Sequence, residues 1–347
     1  MEKTDLKSLP MDQLEQWVLE HGEKKFRAKQ LYQWMHVKLA DSVEQMSNLP
    51  AKLREQISEN STFTVLKQVT MQESAIDGTR KYLFELEDHN MVESVLMRYK
   101  HGNSVCISSQ VGCRMGCRFC ASTLDGLVRN LTPAEMLEQI YRISADTGER
   151  VSNVVVMGTG EPLDNYDNLL TFLRMLTDEN GLHISQRNIT VSTCGLVPRI
   201  RDLAKEDLQI TLALSLHASS QEKRLELMPV AKAYEIHEVV EALRDYFEET
   251  GRRVTFEYSL VAGVNDSAED AKQLSELIRG INCHVNLIPV NPIKERDFVQ
   301  PDGKAVQEFK NKLEKCRINV TIRREMGRDI NGACGQLRKS YMDEQDS

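Results

Sequence analysis

The chain has 347 residues, 41% of them hydrophobic, and a formal net charge of −8 at pH 7, which fits one large globular core with a smaller appended unit. No apolar run is long enough to cross a bilayer, and the first residues lack the basic segment and apolar stretch of a secretory signal. We therefore expect a cytoplasmic protein without membrane contact, whose eight cysteines are free or metal-bound.

Residues 1–60 predict a helical accessory domain. Apolar side chains recur there at helical spacing, at Leu14, Trp17, Val18, Leu31, Trp34 and Met35. The segment FRAKQLYQW mixes basic and aromatic residues. It fits either an amphipathic helix packed on its neighbour or a contact to RNA, and both interpretations stay open.

Residues 61–98 change to a period of two, which predicts an extension of antiparallel strands. The strands are expected at Phe63–Val69, Arg80–Leu86 and Met91–Arg98. Gly78 and the stretch 87–90 are the turn signals between them.

Residues 99–300 alternate apolar strands with helical patterns, and residues 301–347 form a C-terminal segment. The predicted core strands are Val105–Ser108, Val154–Met157, Asn188–Ser192, Ile210–Leu216, Val254–Leu260 and His284–Ile288. Near-continuous β-branched strands between helices indicate a parallel sheet covered on both faces. Six such units predict an α/β fold with a partial, TIM-like (β/α)6 barrel. A helix is expected to begin at Thr132 as N-cap, with Pro133 and Glu135 in its first turn, and to end near Asp146.

Three cysteines in the stretch CRMGCRFC, Cys113, Cys117 and Cys120, stand close enough in sequence to share one metal centre. Three thiolates can hold three irons of a four-iron, four-sulfur cluster and leave the fourth iron open to a small molecule. A structural zinc site is the alternative, but zinc usually has four protein ligands, and the other cysteines are scattered singly. Of these, we interpret Cys194, Cys283 and Cys316 as structural.

Polar or glycine residues follow several core strands, and active sites of barrel folds lie at the C-terminal ends of the strands. The candidates are Gly160 and Glu161 in GTGEP, Ser192, the run Ser215, Leu216 and His217, and Asn291. Plain turns and helix caps are the structural alternatives. Two groups of basic residues are either solvated faces or phosphate contacts. The first is Arg114–Arg118 with Arg129, and the second is the cluster Arg323, Arg324, Arg328, Arg338 and Lys339.

Six motifs in the same order resemble the RlmN/Cfr group of radical S-adenosylmethionine RNA methyltransferases, most of all its dual-specificity RlmN branch. They are CISSQVGCRMGCRFCASTLDGL, VVVMGTGEPLDN, LSLHASSQEKRLELMPV, FEYSLVAGVND, CHVNLIPVNP and VTIRREMGRDINGACGQL, and they span about residues 75 to 340. One residue departs from the family pattern: Thr159 stands in GTGEP where Met or Ile is commoner, at a position that does not ligate.

The resemblance implies one four-iron, four-sulfur cluster held by Cys113, Cys117 and Cys120. It also implies S-adenosylmethionine contacts at the strand-end candidates from Gly160 to Asn291. Matching motifs assign the S-methylated thiol to Cys334, a second catalytic thiol to Cys106 and proton transfer to Glu93. A structural role as small buried hydrophobes is the alternative for both cysteines.

The family chemistry uses two S-adenosylmethionine molecules per turnover, one that methylates Cys334 and one that is cleaved to a radical. The methyl carbon then forms a bond to carbon 2 of adenine. Formation of a disulfide between Cys106 and Cys334 finally releases the methylated RNA. The implied substrates are adenosine 2503 of 23S rRNA and adenosine 37 of tRNA, with flavodoxin or ferredoxin as electron donor and a monomeric enzyme. A Cfr-type carbon 8 methyltransferase and an iron–sulfur RNA-binding or sensor protein without methyl transfer are the alternatives.

Overall fold

The computed structural model describes residues 3–291, 298–330, 337, 338 and 341. Cys334, for which the sequence predicts a catalytic role, lies outside these residues. Within the described part of the chain, no helix is both long and apolar enough to cross a membrane.

The N-terminal unit is helical, as predicted. It consists of β1 (Thr4–Asp5), α1 (Met11–Glu20), α2 (Phe26–His36), α3 (Ala51–Asn60) and β2 (Ser61–Thr62). The two short strands pair in parallel. A buried ion pair joins this unit to the core, because Nζ of Lys7 lies 2.6 Å from Oε1 of Glu138 and both side chains are fully buried.

Four strands follow in antiparallel order. They are β3 (Lys67–Glu73), β4 (Arg80–Glu85), β5 (Met91–Tyr99) and β6 (Gly102–Ile107). The first strand begins four residues later than the predicted Phe63. The ring of Phe63 lies 4.2 Å from the ammonium group of Lys7, so this residue packs at the junction with the N-terminal unit.

The rest of the chain alternates strands and helices. A hairpin of β7 (Gln110–Gly112) and β8 (Leu127–Asn130) comes first. The elements that follow are α4 (Pro133–Thr147), β9 (Val151–Val156), α5 (Tyr166–Thr177), β10 (Ile189–Thr193), α6 (Val197–Ala204), β11 (Thr211–Ser215), α7 (Gln221–Leu227), α8 (Ile236–Thr250), β12 (Val254–Leu260), α9 (Ala268–Leu277), β13 (Cys283–Pro289), α10 (Gly303–Lys315) and β14 (Asn319–Ile322).

One ten-stranded sheet contains most of these strands, in the order β14-β13-β12-β11-β10-β9-β6-β5-β4-β3. From β6 to β14 all neighbours are parallel, while β3 to β6 are antiparallel. The six predicted core strands are present, so the predicted α/β class is confirmed. The antiparallel extension continues the same sheet through β6.

A seventh parallel strand, β14, lies in the segment that the sequence left without a strand. It has four residues, and Val320 is its one buried side chain. An exposed edge strand of this kind buries too little apolar surface to produce a recognisable sequence pattern.

The predicted start of α4 is confirmed in detail. The hydroxyl of Thr132 accepts a hydrogen bond from the backbone of Glu135, whose carboxylate accepts one from the backbone of Thr132. This reciprocal pair satisfies two backbone donors at the helix start. The helix ends before Gly148, which has a φ of 65°.

Candidate active site

A cavity of about 230 Å³ lies at the C-terminal ends of the parallel strands. Eight of the predicted site residues line it: Cys113, Cys117, Cys120, Gly160, Glu161, Ser192, Ser215 and His217. Residues that are distant in sequence therefore meet in one space, as the barrel topology predicts.

The cysteine loop connects β7 to β8 and is fixed at several points. The backbone N–H of Cys113 donates to the carbonyl of Gly126 at 2.8 Å, and the hydroxyl of Thr123 donates to the carbonyls of Cys117 and Cys120. A Cβ at Gly112 would lie 2.0 Å from the carbonyl oxygen of Gly126, so only glycine fits there. The hairpin thus holds the three thiols toward the cavity.

Burial favours the protonated form of two of these thiols, Cys113 and Cys117. Loss of hydration raises the pKa of Cys113 to about 12 and raises the pKa of Cys117 as well, because a buried thiolate is poorly solvated. A bound metal centre reverses this effect, since the cation stabilises the thiolate. The donor set, three thiols on one loop facing one cavity, fits an iron–sulfur cluster that has three protein ligands.

Among the described residues, no three His, Cys, Asp or Glu side chains are grouped closely enough to bind one metal ion. Thiolates that bind a four-iron cluster each bind a different iron, so they stand farther apart than the ligands of a single ion.

The GTGEP loop approaches β7 so closely that Gly160 cannot be replaced by a residue with a side chain. Gly160 has a φ of 109°, and a Cβ there would lie 2.6 Å from Cβ of Gln110. The Glu161 carboxylate is buried, and burial raises its pKa although hydrogen bonds from Cys194 and Leu163 act in the opposite direction. The backbone N–H groups of Cys194 and Leu163 donate to its two oxygens at 2.7 and 3.1 Å. Glu161 therefore organises the loop and also lines the cavity.

Ser192 and Ser215 end neighbouring strands, and their hydroxyl oxygens lie 3.4 Å apart. The capping alternative is wrong for both residues, because the N-caps of α6 and α7 are Leu196 and Ser220. The two hydroxyls instead form a polar pair on the cavity wall.

His217 is buried with a left-handed backbone, φ 54°, and stacks edge-on against Phe119. Burial, together with repulsion from Arg224, lowers its pKa to about 3, so the ring is neutral at physiological pH. Nδ1 accepts a hydrogen bond of 2.9 Å from the backbone of Ser259. The proton is therefore on Nε2. Leu216 is buried, and its backbone N–H donates to the carbonyl of Glu257.

A second cavity of about 170 Å³ adjoins the first, because Ile288 and Arg323 line both. Cys106 and Asn291 line this second cavity, together with Arg324. Asn291 thus lies with Cys106 and not among the residues that line the first cavity.

Glu93 lies on β5, on the same face of the sheet as Cys106. Val95 pairs directly with Cys106 across the antiparallel strands, and Glu93 is two residues before Val95. The hydroxyl of Ser108 donates to the backbone carbonyl of Glu93 at 2.8 Å. The carboxylate lies 3.2 Å from Nζ of Lys81 and accepts a hydrogen bond from the backbone of Arg338.

Several residues of the two cavities were not predicted from the sequence. Glu257 lines the first cavity, where burial raises its pKa and Asn286 donates to it at 2.8 Å. A charged residue inside an apolar strand is a signal that could have identified it. Cys194, interpreted as structural, also lines this cavity.

Arg129 has a structural role, since it pairs with Asp88 and Glu135.

Comparison with known proteins places the chain in a family. Residues 107–275 match the family model of the radical SAM superfamily, and residues 4–63 match the N-terminal domain model of ribosomal RNA large subunit methyltransferases. A crystal structure of a radical SAM methyltransferase from Sphaerobacter thermophilus is similar with a TM-score of 0.92 and 42% identity, covering 96% of this chain and 98% of that one.

Relatives named "probable dual-specificity RNA methyltransferase RlmN" share high identity. The protein of Lachnospira eligens is 65% identical over 99% of this chain and 98% of its own length. That of Lachnoclostridium phytofermentans is 61% identical over 99% and 96%. With this identity over nearly the full length, the chain belongs to the RlmN family of radical SAM RNA methyltransferases.

Proposed function

We propose that this enzyme methylates carbon 2 of adenosine 2503 in 23S rRNA and of adenosine 37 in tRNA. The observation that carries the proposal is the pair of adjoining cavities. The three cysteines of the loop line one, Cys106 lines the other, and Arg323 and Ile288 line both. A cofactor in the first cavity would thus lie beside the thiol that handles the substrate.

Cys113, Cys117 and Cys120 would hold a four-iron, four-sulfur cluster, which when bound supplies the electron that cleaves S-adenosylmethionine to a 5′-deoxyadenosyl radical. Glu161 would accept hydrogen bonds from the ammonium group of S-adenosylmethionine, since each carboxylate oxygen can accept more than one donor. Gly160, whose missing side chain makes room for Gln110, lines the same cavity and would contact the cofactor through its backbone.

The strand-end residues suit the polar parts of the same cofactor. The hydroxyls of Ser192 and Ser215 can donate and accept, and neutral His217 offers Nε2–H as a donor. Leu216 would hold these neighbours in place through its backbone. Asn291 lines the second cavity, so its contact requires a cofactor that extends toward Cys106.

In the reaction we propose, Cys334 takes a methyl group from one S-adenosylmethionine, and a second one is consumed to activate that methyl for attack on adenine. Cys106 then removes the proton from carbon 2, with Glu93 serving proton transfer. A disulfide between Cys106 and Cys334 releases the product, and a reductant restores both thiols.

The substrate adenine must be unstacked to reach a thiol as buried as Cys106, which favours loops over duplex RNA. Arg323 and Arg324 line the cavity that contains Cys106 and would bind phosphates there. We further propose a monomeric, cytoplasmic enzyme that receives electrons from flavodoxin or ferredoxin.

Anaerobic reconstitution with iron, sulfide and S-adenosylmethionine, followed by incubation with transcribed 23S rRNA fragment and tRNA, tests the proposal. Nucleoside mass spectrometry should detect 2-methyladenosine in both RNAs. Detection of 8-methyladenosine instead would establish the Cfr-type alternative. RNA binding without any methylated nucleoside, in a cluster-loaded protein, would favour the sensor alternative.

A further inference from the structure

Lys81 is fully buried on β4, in the row of side chains that leads to Cys106. In the antiparallel register, Lys81 pairs with Val95, and Val95 pairs with Cys106 on its other side. Directly paired residues of neighbouring strands point to the same face. Lys81 and Cys106 therefore lie two strands apart on one face, with Glu93 two residues along the middle strand.

The ammonium group of Lys81 holds one carboxylate oxygen of Glu93. Nζ lies 3.2 Å from Oε2, and the other oxygen, Oε1, accepts a hydrogen bond of 2.5 Å from the backbone of Arg338. The side chains are 0% and 4% exposed. Contacts from two separate parts of the chain thus restrict the orientation of this carboxylate.

Such a pair needs an explanation beyond stability. Removing two charges from water is costly, and a well-packed apolar pair often stabilises a core equally well. The chain contains a second pair of the same kind, Lys7 with Glu138, which joins the N-terminal unit to α4. The pair on β4 and β5 differs in its position, beside the strand that carries Cys106.

We propose that Lys81 is a positioning residue for proton transfer by Glu93. Its fixed positive charge keeps the carboxylate oriented on the face of the sheet that carries Cys106. The step it serves is proton exchange alone: Glu93 accepts a proton and later returns it. This inference rests on the proposed role of Glu93.

The test measures single-turnover methylation of RNA by cluster-loaded variants. Lys81→Met and Glu93→Gln should each slow methylation by about a hundredfold, the low end for proton-transfer catalysis. Lys81→Arg, which keeps the charge, should recover the rate to within about threefold. The double variant Lys81→Met/Glu93→Gln should match Glu93→Gln, because the two residues act as one unit. Methylation of Cys334, followed by protein mass, should persist in all of them.

Lys7→Met is the matched control, since it also removes a buried lysine from a buried carboxylate. It should lower the melting temperature and leave the methylation rate unchanged. A purely structural role for Lys81 predicts that Lys81→Met behaves in the same way.

The outcomes distinguish the proposed role of Glu93 in proton transfer from the proposed role of Lys81 in positioning it. Normal methylation by Glu93→Gln would overturn both the role of Glu93 and the inference about Lys81. A slow Glu93→Gln with a normal Lys81→Met would overturn the inference alone. If Lys81→Met does not fold, Lys81→Gln, which keeps a polar side chain beside Glu93 but removes the charge, takes its place, and a normal methylation rate in that variant would overturn the inference. A double variant clearly slower than Glu93→Gln would show that Lys81 acts independently of Glu93, against the inference.

Discussion

The backbone N–H of Cys194 donates a hydrogen bond of 2.7 Å to Oε2 of Glu161. It ties the loop after β9 to the residue that follows β10, so a carboxylate that faces the cavity also holds two strand ends together. Because Leu163 donates to the other oxygen, removal of the side chain affects both the ligand and the loop.

Replacement of Glu161 should therefore have two separable effects. Glu161→Ala leaves two buried backbone donors without an acceptor, which should cost about 1–3 kcal/mol of stability for each. Glu161→Gln keeps an acceptor but loses the charge. Both variants should bind S-adenosylmethionine about ten- to a hundredfold more weakly, the value of one charge-assisted hydrogen bond. Calorimetry on cluster-loaded protein measures the affinity, and thermal unfolding measures the stability.

Glu135→Gln is the control, because Glu135 also caps a helical segment but lies outside the cavity. It should lose stability and keep its affinity for S-adenosylmethionine. Unchanged affinity in Glu161→Gln would assign the GTGEP loop a structural role only.

Replacement of the loop cysteines should abolish cluster binding. Reconstituted protein should contain about four irons and four sulfides per chain. Cys113→Ala, Cys117→Ala and Cys120→Ala should each lose the cluster and the cleavage of S-adenosylmethionine. Cys283→Ala, a buried thiol outside the cavity, should retain the normal iron content. A stoichiometric zinc ion without iron–sulfur absorbance would contradict this assignment.

The parts of the fold that could be predicted from the sequence are those that depend on interactions between residues close together along the chain. The cap at Thr132 needs only residues three apart, and the six apolar strands are visible as buried runs between helices. The glycine-rich turn that contains Gly160 is likewise visible in the sequence, directly after an apolar strand. These features depend on neighbours in sequence or on a repeating pattern.

The parts that were missed depend on register between strands. Nothing near Lys81 in sequence shows that it meets Glu93, because the contact exists only once β4 and β5 are aligned. Likewise Glu257 is the one charged residue of β12, and nothing near it in sequence shows that this strand lies beside the cavity. The start of β3 was misplaced because Phe63 packs on Lys7.

Buried His36 should make the protein less stable in acid. Burial, together with repulsion from Lys7, lowers its pKa to about 3 from an ordinary value of 6.5. Between these values the unfolded chain binds a proton that the folded chain does not. Stability is therefore complete above about pH 6.5 and declines as pH falls toward 3. His36→Gln should reduce this dependence by about 1 kcal/mol per pH unit between pH 6 and 5.

Chemical denaturation of the full chain at several pH values measures the slope. The exposed His237→Gln is the control for the loss of a histidine. Equal slopes in the two variants would contradict the assigned role of burial at His36.

The two lone cysteines should fail at different steps. If Cys334 carries the methyl, protein from cells should gain the mass of one methyl or methylene at that residue. Cys334→Ala should neither accept a methyl nor attach to RNA.

Cys106→Ala should still methylate Cys334 and attack adenine, yet fail to release the product. It should accumulate as a protein–RNA species that survives denaturing electrophoresis. Cys106 packs against Val95 and Met97, so a purely structural thiol predicts only a modest loss of stability. A folded, cluster-loaded Cys106→Ala protein that forms no adduct with a competent RNA would refute the proposed division of roles, because the carbon–carbon bond should form before Cys106 is needed.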